Sequence, residues 1–122
     1  MVSVCLSANL SAADLSGAWS GSWSSDSTGH RGPLRCTLTQ LSDGSYRADF
    51  AGRFFKLIPF RYSVVLQVVA DDGQTVQLSG SHHLGRRFGT FTYTAYATCS
   101  EFVANYSSCR DSGQFHLSRC CR

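Results

Sequence analysis

The sequence predicts an all-β protein, an up-and-down antiparallel meander of about eight strands closed into a barrel. Three observations support this fold class. Apolar and polar residues alternate with a period of two along most of the chain, which is typical of strands with one buried face. Short turn sequences separate these segments, and helical periodicity is almost absent. A sandwich of two sheets would give nearly the same pattern, so it remains the alternative fold.

The predicted strands follow one another closely, and their turns carry recognisable chemistry. Ser42-Asp43-Gly44 and Asp71-Asp72-Gly73 are hairpin signals. In chain order the predicted strands are 17–25, 33–41, 45–56, 60–70, 74–84, 88–98, 101–108 and 112–119.

The prediction of each strand rests on a row of alternate residues that we expect to face inward. In strand order these rows are Trp19, Gly21 and Trp23; Leu34, Cys36 and Leu38; Tyr46, Ala48, Phe50, Gly52 and Phe54; Phe60, Tyr62, Val64, Leu66 and Val68; Val76, Leu78, Gly80, His82 and Leu84; Gly89, Phe91, Tyr93, Ala95 and Ala97; Phe102, Ala104 and Tyr106; and Phe115 and Leu117. Large residues alternate with Gly or Ala, as a strongly curved sheet requires. Most aromatic residues are inward, so we expect a barrel that is largely filled, with any cavity small or at its mouth.

Length, composition and charge narrow the function classes. The chain of 122 residues is 43% hydrophobic, which predicts a single globular domain. The net charge of +3 comes from scattered basic residues, so we expect no nucleic-acid partner. No apolar run approaches the roughly 18 residues of a membrane-spanning helix.

The ends of the chain differ in composition from its middle. We assign residues 1–16 to an N-terminal arm or the remnant of an export signal, 17–119 to a single barrel domain, and 120–122 to a C-terminal tail. The small residues of Ser7–Ala13 are similar to the end of a signal peptide. We therefore expect a secreted, periplasmic or cell-surface protein.

The six cysteines contain no CxxC pair, which argues against a zinc site. Cys99 and Cys109 flank a short segment, and we predict that they form a disulfide. A reduced protein without disulfides is the alternative.

The two ends of the predicted barrel resemble those of lipocalins and the wider calycin group. Gly17-Ala18-Trp19 is similar to the Gly-x-Trp start of that group, and Arg119 falls where its last strand carries a basic residue. The resemblance implies that Trp19 closes one end of the barrel with Arg119 stacked against it, and that the lumen binds a small molecule. The chain looks like a small calycin-like barrel of the kind that bacteria secrete.

Trp23 repeats the signature as Gly21-Ser22-Trp23 and shares a face with Trp19. The pair could serve as an aromatic platform for a ligand or as a plug in the barrel floor. We favour the plug, with Trp19, Trp23 and Arg119 as the barrel-closing residues.

Polar groups on the inward rows are the candidate ligand contacts. His82 would orient a molecule inside the barrel. The other candidate contacts in the same lumen are Tyr62, Tyr93, Tyr106 and Phe91. His83 points to the opposite face, so the adjacent histidines are not expected to share a metal ion, and we predict neither a metal nor a cofactor. The loop residues His30 and Arg31 form a second candidate site, for an anion or a carbohydrate.

No catalytic constellation is visible, because nearly every carboxylate falls in a turn or on an outward face. We therefore predict a non-catalytic exported barrel that binds a small, largely apolar molecule in its lumen or mouth. The alternative is a structural or interaction module with a filled core that binds a protein or glycan through its loops.

Overall fold

In a computed structural model, the chain forms a closed barrel of eight antiparallel strands. The structure describes residues 14–54, 58–83, 89–109 and 111–119. The strands are β1 (Gly17–Ser25), β2 (Arg31–Gln40), β3 (Tyr46–Phe54), β4 (Ile58–Asp71), β5 (Val76–His83), β6 (Thr90–Ala97), β7 (Glu101–Ser107) and β8 (Ser112–Arg119). Each strand pairs with its neighbours in sequence, and β1 pairs with β8 to close the meander. The predicted fold class is confirmed, and the sandwich alternative is not the fold.

The inward rows form the core, as the alternation predicts. On β2, Leu34, Cys36 and Leu38 are buried, whereas the residues between them are exposed. Two described positions of these rows depart from the pattern, because Gly21 on β1 is exposed and Val68 on β4 is 39% exposed. Val68 is still in register with the buried Leu78, and a β-bulge follows it, where the register of β4 against β5 shifts between Val68 and Ala70.

Aromatic rings fill the middle of the barrel. Phe50 on β3 and Phe115 on β8 lie on strands separated by two others, yet their ring centroids are 5.0 Å apart. Phe115 also packs on Tyr106 at 5.2 Å and on Tyr93 at 6.1 Å. Rings that meet across the barrel leave no open lumen at this level.

The residues that lead into β1 cover part of one end of the barrel, beside a cavity of about 290 Å³ that Tyr46, Val68 and Val76 help to line. Leu15 is fully buried, its amide donates to the hydroxyl of Tyr46 at 3.2 Å, and its carbonyl accepts from Nε1 of Trp19 at 3.0 Å. We call this the closed end. Leu15 is therefore part of the barrel core and not of the N-terminal arm predicted from composition.

The disulfide predicted between Cys99 and Cys109 is wrong. Both are free thiols, and they lie beyond opposite ends of the seven-residue strand β7. That strand holds the two residues more than about 20 Å apart, at roughly 3.3 Å per residue. A disulfide requires Cα atoms within about 7 Å of each other.

Candidate functional site

Inward side chains at the end opposite Leu15 remain partly exposed. They are Phe60 and Tyr62 on β4, His82 on β5, and Phe91 on β6. Below them lie the buried rings of Tyr93 and Tyr106. We call these six residues the mouth cluster. All five ligand contacts predicted from the sequence belong to it, and Phe60 is the member that sequence reasoning left among the ordinary core residues.

Tyr62 is the centre of the mouth cluster. Its ring lies 5.9 Å from that of His82 and 6.4 Å from that of Tyr93, each at an interplanar angle of 25°. Phe60 continues the arrangement at 6.2 Å and 24°. These near-parallel rings present flat faces on which a planar molecule can stack.

The hydroxyl groups in the cluster are neutral at ordinary pH. Burial raises the pKa of Tyr62, and the neighbouring Tyr93 raises it further. Burial also raises the pKa of Tyr93. The two uncharged hydroxyls form a hydrogen bond with each other.

His82 is the polar group of the cluster that has no hydrogen-bond partner among the described residues. Its ring stacks on Tyr62, and its side chain is partly exposed.

Tyr106 is already committed to the protein itself. Its hydroxyl donates to the carbonyl of Ser24 at 2.8 Å and lies 3.4 Å from Oδ2 of Asp111. Burial raises its pKa, and the charge of Asp111 adds to this. Tyr106 therefore shapes the site without offering a free hydroxyl, which differs from the role that the sequence suggested.

Asp111 joins two turns beside the mouth cluster. Its Oδ1 accepts hydrogen bonds from Ser25 at 2.8 Å, Ser27 at 2.6 Å and the amide of Ser112 at 2.8 Å. Burial raises the pKa of this carboxyl, but the hydrogen bonds from Ser27 and Ser25 outweigh it and hold the pKa below its ordinary value. The sequence suggested only a turn here, since the serines that meet Asp111 are distant along the chain.

The structure separates the two tryptophans that were expected to close one end together. Trp19 belongs to the closed end, where the guanidinium carbon of Arg119 lies 4.5 Å from the centre of its ring. Trp23 lies towards the mouth, where its Nε1 donates to the carbonyl of Arg53 at 3.1 Å and its ring meets Phe60 edge-on at 6.2 Å. Four residues of extended strand hold the two rings at different levels of the barrel, so Trp23 is not a floor residue.

Arg119 anchors the closed end through backbone carbonyls. Its Nη1 donates to Ser16 at 2.8 Å, its Nη2 to Asp14 at 2.9 Å, and its Nε to Cys99 at 2.8 Å. The guanidinium is therefore occupied by the protein at this end.

The loop site expected at His30 and Arg31 is split between a turn and a strand. Both residues are exposed, and Arg31 begins β2 opposite Ser24. Arg31 lines a groove of about 360 Å³ on the outer wall of the barrel. The other residues lining that groove are Ser22, Ser24, Val103, Gln114 and His116.

Within the described ranges, no group of three or more His, Cys, Asp or Glu side chains is arranged to hold a metal ion. The same ranges contain no helix with the length and hydropathy needed to cross a membrane.

Comparison with known proteins found no matching family model, no matching curated protein and no matching solved structure. The fold therefore assigns the protein to one structural class, the closed eight-stranded antiparallel β-barrels.

Proposed function

We propose that this chain is a non-catalytic, calycin-like binding protein that holds a small, flat, largely apolar molecule at the mouth cluster. One observation carries the proposal: the near-parallel, partly exposed rings of Phe60, Tyr62 and His82 at a single end of the barrel. The packed middle of the barrel supports a shallow site at the mouth over a deep one in the lumen.

The calycin part of the proposal is supported by the two ends of the chain. Gly17 and Trp19 open β1, Arg119 ends β8 against Trp19, and the strands close as a simple meander. These features fit the resemblance seen in the sequence.

The mouth site is tested with N-phenyl-1-naphthylamine, a neutral fluorescent probe that does not depend on surface charge. We expect saturable binding that is weakened about tenfold by Tyr62→Leu, which removes the central stacking face. Tyr96→Ser is the matched control, because Tyr96 is 54% exposed on the outer wall. Equal binding by both variants, or no saturable binding, would refute a mouth site.

Native and denaturing mass spectrometry of the unreduced protein extends this test to the natural ligand. A non-covalent mass excess that disappears on denaturation would support the proposal and would give the mass of the ligand. A bare mass together with no probe binding would favour the interaction module.

The interaction module is favoured by an exposed apolar strip on the outer wall. Val69 and Val65 on β4 are 62% and 43% exposed, and Tyr96 on β6 is 54% exposed, with β5 between the two strands. Under this alternative the filled core only supports the surface. The double variant Val69→Ser/Tyr96→Ser should then abolish binding of a protein or glycan partner and leave probe binding unchanged.

We also propose export, on the composition of the first sixteen residues. Leu15 is fully buried, so any processed form must retain it. The N-terminal peptide of the protein recovered from each compartment, measured by mass spectrometry, tests this. An intact N-terminus found only in the cytosol would contradict it.

A further inference from the structure

Four arginines on the outer wall of β2, β3 and β4 have no carboxylate partner among the described residues. They are Arg31, Arg35, Arg53 and Arg61, and all are exposed. All eight carboxylate side chains of the protein lie in the described ranges. The one ion pair between an arginine and a carboxylate in those ranges joins Arg47 to Asp49. The sequence suggested scattered, solvated charge, and only the strand register brings these residues together.

Three of the four surround one small residue. Arg35 on β2 and Arg61 on β4 are both in register with Ala51 on β3. Two strand spacings place their Cα atoms about 10 Å apart, with Ala51 between them. Arg53 lies two residues beyond Ala51 on the same face, about 7 Å along the strand. We call Arg35, Arg53 and Arg61 the arginine triad.

The neighbours of the triad restrict its shape and its charge. Arg53 is in register with Pro59 on β4, and Pro33 lies beside it on β2, so the two prolines of the chain flank this one position. The nearest carboxylate on the strand, Asp49, accepts hydrogen bonds from Arg47 at 3.2 Å and from Ser63. Asp49 is thus paired with Arg47 and forms no ion pair with a guanidinium of the triad.

The three like charges repel one another, and none of them forms an ion pair with a carboxylate among the described residues. Guanidinium groups are well suited to bind tetrahedral oxyanions, because their planar forks match pairs of oxygen atoms. The small side chain of Ala51 leaves room for such a group between the three long arms.

We infer that the arginine triad is a binding site for a dianionic phosphate or sulfate group, with Ala51 as its floor. The site lies on the outer wall and is independent of the proposed mouth site. The span of the triad fits a single group of this kind, such as free phosphate or a phosphate monoester of a small molecule.

Isothermal titration calorimetry of the full chain at low ionic strength tests the inference. The probes are inorganic phosphate, sulfate, glucose 6-phosphate, and phosphatidylcholine vesicles that contain phosphatidic acid. We expect saturable binding of phosphate, weakened about tenfold by each of Arg35→Gln, Arg53→Gln and Arg61→Gln, since each removes charge-assisted hydrogen bonds. Tighter binding of glucose 6-phosphate or of the vesicles than of free phosphate would identify the natural source of the group.

Arg31→Gln is the comparison variant, because it removes the same charge from an exposed position on β2 that lies on the far side of Arg53 from Ala51. It should weaken phosphate binding less than each triad variant does, because its charge is farther from Ala51. No saturable phosphate binding, equal weakening by all four variants, or binding to vesicles alone would overturn the inference and would indicate diffuse attraction to a basic surface.

Thermal unfolding distinguishes a binding role of the arginines from a structural role. Without phosphate, Arg61→Gln should melt at the same temperature as the wild type or higher, because a repulsion is removed. Phosphate should raise the melting temperature of the wild type and not that of the variant. A variant that melts lower without phosphate and still responds to it would contradict the site.

Discussion

At the scale of single residues, two side chains hold together parts of the chain that are distant in sequence. Arg119 joins the C-terminal end of β8 to the segment before β1 and to the turn before β7. Asp111 joins the turn after β7 to the turn after β1. One acts at the closed end and the other beside the mouth cluster.

Replacing Arg119 should destabilise the barrel. Arg119→Leu removes three hydrogen bonds to carbonyls and the contact with Trp19, so we expect a loss of about 2 kcal/mol in the free energy of unfolding, measured in urea. Arg119→Lys should lose less, because the ammonium keeps the charge but cannot reach all three acceptors. A loss below about 0.5 kcal/mol for the Leu variant would show that this network contributes little.

Protonation of Asp111 should lower the free energy of unfolding at acidic pH. Because the pKa of Asp111 is lowered in the folded barrel, its contribution is present above the ordinary value of 3.8 and is lost as the pH falls through the folded value. We expect the free energy of unfolding to fall below about pH 4, and to fall less steeply for Asp111→Asn. Urea titrations between pH 2 and pH 7 measure this, and an identical pH profile for both proteins would contradict it.

At the scale of elements, closure depends on how closely β1 and β8 approach. A Cβ atom at Gly21 would lie 1.9 Å from the carbonyl oxygen of His116 on β8. Backbone cannot move aside as the end of a side chain can. The glycine that the sequence suggested for curvature is therefore needed for the pairing that closes the barrel.

Gly21→Val should separate β1 from β8. We expect a loss of about 3 kcal/mol or more, and aggregation through the exposed strand edges. Circular dichroism during heating and light scattering measure the two effects. Ser22→Val is the matched control, since Ser22 is the next residue on β1 and is exposed. Equal stability of the two variants would show that the close approach is easily relieved.

At the scale of the whole molecule, the barrel has one end partly covered by the segment before β1, a packed middle and one end lined by partly exposed rings. Phe115 is central to the middle, because it contacts Phe50, Tyr93 and Tyr106. This division is the reason for proposing a ligand site at the mouth, and the outer wall is a separate surface.

Phe115→Ala should open a cavity in the packed middle. We expect a loss of about 3–5 kcal/mol in the free energy of unfolding, partly recovered when benzene fills the space. Tyr96→Ala, at an exposed position, should change stability by less than about 0.5 kcal/mol. If benzene stabilised the wild type as much as the Phe115 variant, the middle of the barrel would already contain a cavity.

The sequence by itself determined the strands, their turns and most of the inward rows, because a strand with one buried face imposes a local period of two. It therefore predicted the barrel and brought Tyr62, His82, Phe91, Tyr93 and Tyr106 to the same interior. It did not predict that Val68, although in register with the buried Leu78, is 39% exposed, nor the β-bulge that follows it.

Only the tertiary structure decided which residues meet across strands and at which level of the barrel. It separated Trp23 from Trp19, set Cys99 and Cys109 at opposite ends of β7, and turned Leu15 into a core residue. It also placed Arg35 and Arg61 on either side of Ala51. Alternation specifies the face on which a side chain lies, whereas its neighbours on that face depend on strand register and closure, which arise only when all eight strands pack together.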